Sequence, residues 1–285
     1  MPARSPTCSG TCRAGRPGDR PVTAVERGGG DRLARTQAFW DSLTGEEGDF
    51  ARQGDYGRAM WAAEPNWGDW NIPESRLRLL PDVAGMDTIE LGCGTAYFSG
   101  WLARAGARPV GVDVSERQLS LARALQAEHG ADFPLVHADA EQVPYPDGSF
   151  DLALSEYGAS SWCDPHRWVS EAARLLRPGG WLLFLTVSPI LTLCSYPDGS
   201  APAGDRLIRP YFGLYETDTP AFGTTEFQLP YGQWVRVLRG AGFTLERLEE
   251  LQAPQGASTL WPFVDAAWAH RWPSECVWVA RKRAA

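Results

Sequence analysis

The chain has 285 residues, 44% of them apolar, and a formal net charge of −8 at pH 7. This length and apolar content suffice for one large domain with a buried core, and an acidic chain with a single lysine, Lys282, does not suit nucleic-acid binding. Six scattered cysteines predict neither a metal site nor a disulfide framework, and the lack of a signal peptide or of about 20 consecutive apolar residues predicts a cytoplasmic protein without a membrane partner.

The first 35 residues are predicted to be a disordered arm. They are rich in Arg, Gly, Pro and Ser and show no apolar period, so burial would not offset the entropy lost on ordering them. Deletion of this arm is expected to leave activity intact. Residues 36–285 are predicted to form the functional domain, and its first part, the aromatic-rich segment 36–82, is predicted to be a helical cap.

Residues 83–187 have the pattern of βαβ units. Apolar runs of strand length alternate with amphipathic segments, which is typical of a parallel sheet covered on both faces. Strands are predicted near 88–91, 109–113, 134–138, 150–155 and 180–187. Helices are predicted near 96–105, 115–128 and 165–176, the second with Ser115 as N-cap and Gln118 at the capping-box position.

Residues 188–230 are predicted to be an insertion, because Pro, Gly, Asp and aromatic residues crowd there without a sustained period. The segment 231–285 is predicted to return to the sheet. It contains a helix near 231–240, a strand near 243–250 and a final strand over 275–280.

The strongest functional signal is a Gly-x-Gly turn between the first core strand and a helix. Gly92 and Gly94 allow the backbone to approach a ligand closely, and the helix N-terminus presents free N–H groups. Asp113 ends the second strand, 19 residues beyond Gly94, where it can accept hydrogen bonds from a ribose diol. A dinucleotide fingerprint would need a third glycine where this chain has Tyr97. The turn better suits a cationic ligand without phosphate, such as S-adenosylmethionine, for which Glu90 is favourable.

On these residues the chain resembles the class I S-adenosylmethionine-dependent methyltransferases, particularly the ubiquinone and menaquinone C-methylase-like branch. The resemblance covers about residues 85–187 and rests on five motifs in chain order, at 90–95, 111–115, 137–141, 144–151 and 175–181. It implies a doubly wound α/β fold with a seven-stranded, mostly parallel sheet whose last pair is antiparallel, an N-terminal helical cap and a substrate lid over 188–230. It also implies S-adenosylmethionine as cofactor and a small-molecule methyl acceptor, aromatic or from specialised metabolism.

The resemblance implies cofactor contacts at the strand ends, from Glu90, Gly92, Cys93, Gly94, Asp113, Val114, Gln118, Asp139, Ala140 and Ser155. The two glycines would line the methionine tail, Asp113 would hold the ribose hydroxyls, and Asp139 would accept from the adenine amino group. Other roles stay open at this point. Asp113 and Asp139 could only cap the segments that follow them, and Glu90 could make a structural hydrogen bond to the turn.

Three residues are candidates for the acceptor side and for catalysis: Glu156, Tyr157 and His166. In-line methyl displacement needs no metal, and it needs a base only when the acceptor must lose a proton. His166 could instead be a structural residue at a helix start. The aromatic residues of 188–230, and Tyr56, Trp67 and Trp70 in the cap, could line the site or pack a core.

Two other functions remain open from the sequence alone. A nicotinamide-dependent oxidoreductase uses a related sheet, although the missing third glycine and Asp139 disfavour it. The chain could also be a catalytically silent adenosylmethionine-binding protein. The acceptor, its reacting atom and the oligomeric state are not predicted.

Overall fold

The computed structural model describes residues 29–42, 49–196, 198–219, 223–259 and 261–284. Residues 1–28 of the predicted arm therefore lie outside the described part of the chain. In the residues that are described, no helix combines the length and the apolar character needed to cross a membrane.

The N-terminal cap consists of two long helices followed by a short hairpin and a single helical turn. Its elements are α1 (Gly29–Ser42), α2 (Asp49–Ala62), β1 (Asn66–Trp67), β2 (Ile72–Pro73) and α3 (Glu74–Leu77). The structure corrects the predicted boundary at residue 35, because residues 29–35 form the first half of α1. These residues are held by an ion pair between Arg32 and Glu141 and by the Arg32 guanidinium over the Phe227 ring, contacts that an apolar period does not reveal. The second half of α1 packs Phe39 and Trp40 against Trp162.

The core alternates strands and helices as the sequence predicts. Its elements are β3 (Asp87–Leu91), α4 (Tyr97–Arg104), β4 (Arg108–Asp113), α5 (Glu116–His129), β5 (Leu135–His137), β6 (Phe150–Glu156), α6 (Ala159–Trp162), α7 (Pro165–Leu175) and β7 (Leu176–Val187). All five predicted strands and all three predicted helices of this region are confirmed. Ser115 caps α5 by accepting a hydrogen bond from the Gln118 N–H, also as predicted.

The remaining elements lie after β7. They are α8 (Pro189–Cys194), β8 (Glu216–Thr219), β9 (Thr224–Phe227), α9 (Tyr231–Gly240), β10 (Phe243–Leu251), α10 (Ala266–Ala269) and β11 (Glu275–Lys282). Strands β8 and β9 form an antiparallel hairpin within the predicted insertion. The predicted C-terminal helix and both predicted C-terminal strands are confirmed.

The central sheet has seven strands in the order β10-β11-β7-β6-β3-β4-β5. Strand β11 is antiparallel to both of its neighbours, whereas the pairs from β7 to β5 are all parallel. The predicted doubly wound α/β fold with seven strands is therefore confirmed. The chain builds outward from β3 to β5 and then restarts with β6 on the other side of β3, so the strand order reverses between β3 and β6.

Two apolar layers cover the sheet because successive strand residues point to opposite faces. In β7, Leu182 and Phe184 pack into one layer with α7 and α9, whereas Leu183 and Leu185 pack into the other. The second layer also contains α4 and the cap residues Trp67 and Trp70, which are 0% and 4% exposed. The cap is thus anchored in the core beside the carboxyl ends of the strands.

Candidate active site

A cleft opens at the carboxyl ends of β3, β4, β5 and β6, where the strand order reverses. Its empty space, mouth included, is about 1180 Å³. Helices α1 and α2, the β1–β2 turn and Trp261 form the rest of its wall. Of the thirteen predicted site residues, eleven line this cleft: Glu90, Gly92, Cys93, Gly94, Asp113, Val114, Gln118, Asp139, Ala140, Glu156 and Tyr157.

The glycine turn has a definite steric requirement at Gly92. Its φ is +75°, and a β-carbon there would lie 2.6 Å from the Gly158 Cα in the loop after β6. Gly94 also has a positive φ, of +50°, but a β-carbon at that position would meet nothing closer than Gln118 Oε1 at 4.0 Å. Gly92 therefore allows the glycine turn to touch the loop after β6, and at Gly94 the backbone is accessible from the cleft.

Asp113 joins the end of β4 to the glycine turn. Its Oδ2 accepts from the Gly94 N–H at 2.7 Å and its Oδ1 accepts from the Ser115 N–H at 2.8 Å. Burial raises the pKa of this carboxyl, while these backbone N–H groups oppose the shift. Asp113 thus does cap the following segment, and it also lines the cleft with lone pairs available to a ligand. The capping role considered from the sequence is confirmed, and the ribose contact stays a prediction.

Gln118 contributes an unsatisfied polar group to the same part of the cleft. The side chain is 2% exposed, and within the described ranges no acceptor reaches its Nε2. A capping box would send this side chain back to the Ser115 N–H, but Asp113 already accepts from that group. A buried donor without a partner is costly, and the Gln118 Nε2 donor is available to an acceptor atom.

The next strand end carries Asp139, whose Oδ1 accepts from the Glu141 N–H at 2.8 Å. Glu141, which the sequence analysis did not single out, is 2.5 Å from Arg32 Nη2 and 3.2 Å from Arg167 Nη1. At the other end of α1, Ser115 Oγ donates to Asp41 Oδ1 at 2.5 Å. Helix α1 is therefore fastened at two points across this part of the cleft.

Glu156 stands at the opposite end of the cleft, at the end of β6. Its Oε2 accepts from the Tyr97 hydroxyl, and its Oε1 accepts from the Gly68 N–H at 3.3 Å. Burial raises the pKa of Glu156 to about 7, although both hydrogen bonds favour the carboxylate. Glu156 can therefore exchange a proton near neutral pH.

A second carboxyl, Asp69, lines this acidic end of the cleft, and the carboxyl of Glu275 lies behind it. Burial, and then the charge of Glu156, raise the pKa of Asp69 to about 7. Glu275 Oε1 accepts from the Asp69 N–H at 2.8 Å and from the Tyr157 hydroxyl at 2.5 Å. Burial raises the pKa of Glu275 well above the ordinary value. Neither carboxyl was predicted from the sequence, because each lies outside the motifs.

Glu90 lies at the end of β3, between the glycine turn and the acidic end. Its Oε2 accepts from the Ser99 N–H at 2.9 Å and from the Ser99 hydroxyl at 2.6 Å. The structural hydrogen bond considered for Glu90 therefore exists, but it goes to α4 and not to the turn. Burial raises the pKa of Glu90 to about 8.

Two predicted site residues lie elsewhere. Ser155 is 0% exposed and points away from the cleft, where its hydroxyl donates to the Leu91 carbonyl at 2.8 Å and accepts from the Ser160 N–H at 3.1 Å. Ser155 is therefore a structural residue. His166 is exposed on the first turn of α7 and does not line the cleft, so the structure does not bring it together with Glu156 and Tyr157.

The aromatic wall comes from a different segment than the one predicted. None of the described residues of 188–230 lines the cleft, and Phe212 is 89% exposed. The aromatic lining is supplied by Trp40, Tyr56, Tyr97, Tyr157, Trp162 and Trp261. Among the cap residues left open, Tyr56 thus belongs to the site, whereas Trp67 and Trp70 belong to the core.

Comparisons with known proteins agree with this architecture. The family described as "Methyltransferase domain" matches residues 89–184. The demethylmenaquinone methyltransferase of Clavibacter sepedonicus is 30% identical over 181 residues, which are 61% of this chain and 71% of that protein. The malonyl-[acyl-carrier protein] O-methyltransferase of Pectobacterium atrosepticum is 35% identical over 116 residues, 40% of this chain and 44% of that protein.

Among solved structures, an S-adenosylmethionine-dependent methyltransferase from Mesorhizobium loti is similar with a TM-score of 0.59 and 27% identity. The similarity covers 73% of this chain and 96% of that one. The two relatives are named for different acceptors, demethylmenaquinone and a malonyl-acyl-carrier protein. The relatives therefore share the class of reaction, but they differ in the molecule that is methylated.

Proposed function

Because the chain belongs to the class I S-adenosylmethionine-dependent methyltransferases, we propose that it methylates a small molecule bound at the acidic end of the cleft. The observation that carries this proposal is the single continuous cleft with two chemically different ends. The glycine turn, Asp113, Gln118 and Asp139 lie at one end, and Glu156 with its tyrosine partner lies at the other.

The residues at the glycine-turn end fit the cofactor. Asp113 and Asp139 keep lone pairs for the ribose hydroxyls and the adenine amino group, and the unsatisfied Gln118 Nε2 can donate to an acceptor atom of the cofactor. The missing β-carbon of Gly94 leaves room beside the methionine tail. A carboxyl nearby, Glu90, suits a ligand that carries a sulfonium and an ammonium group.

When bound, S-adenosylmethionine supplies a methyl group on a sulfonium, which is already a good leaving group. The protein therefore has to place the acceptor in line and exclude water, and the cap over the strand ends serves both purposes. Glu156 is the residue placed to remove a proton from the acceptor, because its pKa is close to 7 and it faces the cleft. Tyr97 and the Gly68 N–H hold its two oxygens in position.

Isothermal titration calorimetry with S-adenosylhomocysteine and with NADH tests the cofactor assignment. We expect S-adenosylhomocysteine to bind and NADH not to bind. Asp113→Ala removes a charged acceptor, and loss of hydrogen bonds to a charged group costs about 1.5–3 kcal/mol, so the affinity should fall roughly 10- to 100-fold. Asp132→Ala is the matched control, since Asp132 is an exposed aspartate in the loop before β5.

Asp113 also supports the glycine turn, so the variant must be shown to be folded by its urea denaturation curve. Binding of NADH in place of S-adenosylhomocysteine, or unchanged affinity in a folded Asp113→Ala variant, would refute the cofactor assignment. Binding of S-adenosylhomocysteine without turnover on any acceptor would identify a silent adenosylmethionine-binding protein.

A further inference from the structure

The cleft is lined by more acidic residues than the cofactor assignment accounts for. Among the described residues that line the cleft, six are acids: Asp69, Glu90, Asp113, Asp139, Glu141 and Glu156. The only base among them is Arg32, which is paired with Glu141. The proposed function assigns Glu90, Asp113 and Asp139 to the cofactor, which leaves Asp69 and Glu156 facing the acceptor.

An independent feature beside these two carboxyls is an oxygen without a donor. Glu275 is 1% exposed, and no donor in the described part of the chain reaches its Oε2. Its Oε1 is bonded to the Asp69 N–H, so the unsatisfied carboxylate lies directly behind Asp69. A buried carboxyl oxygen without a partner is costly unless it is protonated or lies near a cation.

The other wall of the acidic end is aromatic and neutral. We call Tyr56, Tyr97 and Tyr157 the tyrosine wall, since all three line the cleft and two of them lie with ring centroids 6.2 Å apart. Burial raises the pKa of each of these phenols, so they stay neutral near pH 7. Carboxylates together with aromatic rings are the groups that proteins use to bind ammonium ions.

Resting on the proposed function, we propose that the methyl acceptor is an amine, bound as its ammonium ion between Asp69 and Glu156 against the tyrosine wall. A neutral acceptor would bring no positive charge to either carboxylate, and Glu156 would keep only its hydrogen bonds from the Tyr97 hydroxyl and the Gly68 N–H. An acceptor with a carboxylate would be repelled by Asp69 and Glu156.

The reaction balances with the groups that are present. The Glu156 carboxylate takes one proton from the ammonium ion, which frees the nitrogen lone pair. That lone pair forms the new N–C bond while the S–C bond of the cofactor breaks, and its electron pair stays on sulfur to give neutral S-adenosylhomocysteine. The product is a methylated ammonium ion, and the protonated Glu156 then releases its proton to water.

Binding of a cation here should depend on pH in a defined direction. The titratable groups that line the cleft around the bound nitrogen are Asp69 from the β1–β2 turn, Glu156 from β6, Glu90 from β3 and the three phenols of the tyrosine wall. Glu275 from β11 lies behind Asp69. The pKa values of Asp69 and Glu156 are about 7, so at lower pH these carboxyls carry protons, which a cation has to displace when it binds. Affinity for the amine should therefore rise with pH, whereas affinity for a neutral probe should not.

The experiment compares three probes of similar size on the full chain saturated with S-adenosylhomocysteine: 2-phenylethylamine, 2-phenylethanol and phenylacetate. We expect calorimetry to give at least about tenfold tighter binding of the amine than of the alcohol, and the weakest binding for phenylacetate. Between about pH 6.5 and pH 8.5, over which a primary amine stays protonated, binding of the amine alone should strengthen.

Asp69→Asn keeps the size of the side chain and removes its charge, so it should abolish most of the preference for the amine without changing affinity for S-adenosylhomocysteine. Glu246→Gln is the control, because Glu246 is an exposed acid on β10. Equal binding of the three probes, no binding of any, or an Asp69→Asn variant that prefers the amine as strongly as the wild type would overturn the proposal. Failure of S-adenosylhomocysteine to bind the wild type would instead refute the proposed function.

Discussion

The contact between Arg32 and Glu141 gives a quantitative test of the role of α1. Arg32→Ala removes a charged hydrogen bond of 2.5 Å between side chains that are only 16% and 7% exposed. Such a bond contributes about 1.5–3 kcal/mol. Glu141 keeps the Asp164 N–H at 2.8 Å and Arg167 at 3.2 Å, so it is not left as an unpaired charge, and we expect a loss of about 2 kcal/mol.

This loss should weaken the docking of α1, because the pair joins this helix to the loop after β5. A cost of about 2 kcal/mol corresponds to roughly a 30-fold change in the docking equilibrium. The affinity for S-adenosylhomocysteine should therefore fall by no more than about 30-fold. The assay is calorimetric titration of the wild type, of Arg32→Ala and of Arg35→Ala. The third protein is the matched control, because Arg35 lies on the same helix and pairs with Asp31 with side chains that are 48% and 73% exposed.

The control should lose less than about 0.5 kcal/mol, as expected for an exposed ion pair. If Arg32→Ala and Arg35→Ala give the same affinity and the same urea denaturation midpoint, α1 does not close the cofactor site in the way described here.

Four other outcomes are expected. A chain that starts at residue 29 should bind S-adenosylhomocysteine more tightly than one that starts at residue 36, because the second lacks half of α1; equal affinities would restore the boundary first predicted. The rate with an amine acceptor should rise as pH passes through about 7, where the Glu156 carboxylate forms, and Glu156→Gln should lower kcat and flatten this profile. The pKa of Glu90 is raised to about 8 in the folded protein, so this group stabilises the fold below about pH 4.5 and loses that contribution as pH rises through about 8. Urea denaturation should therefore show Glu90→Gln gaining stability relative to wild type between about pH 5 and pH 9. Ser155→Ala should lose about 1–3 kcal/mol of stability with unchanged cofactor affinity, whereas His166→Ala should change neither kcat nor affinity.

The glycine-turn end of the cleft was predictable because its determinants are local in sequence. Parallel strands buried on both faces are rich in apolar residues, and β3, β4 and β6 each contain such residues at their centres, including Ile89, Val110 and Leu152. The contact between Gly92 and the Gly158 backbone excludes a side chain, so the turn leaves a sequence signal. Asp113 follows its strand directly, and its distance from the turn is fixed by one helix and one strand.

The acidic end was not predictable in the same way. Asp69 and Glu275 are 206 positions apart, and only the folded sheet and cap bring them together. Successive side chains of β6 point to opposite sides of the strand, so Ser155 points away from the cleft while Glu156 faces it. The sequence alone does not show which of these two neighbours faces the cleft. The first half of α1, residues 29–35, was missed because the charged side chain of Arg32 anchors it, and an apolar period does not reveal such a contact.

The touching backbones of Gly92 and Gly158 have a consequence for ligand binding. Gly158 follows Glu156 and Tyr157 directly in the chain, so the acceptor end of the cleft is in backbone contact with the turn beside the cofactor. Occupancy of the two ends is then thermodynamically linked. Linkage is reciprocal, so whatever factor S-adenosylhomocysteine adds to the affinity for an acceptor, the acceptor must add to the affinity for S-adenosylhomocysteine. If that factor is above one, a dead-end complex of acceptor and spent cofactor holds both molecules more tightly than either binds alone, and turnover slows at high acceptor concentration.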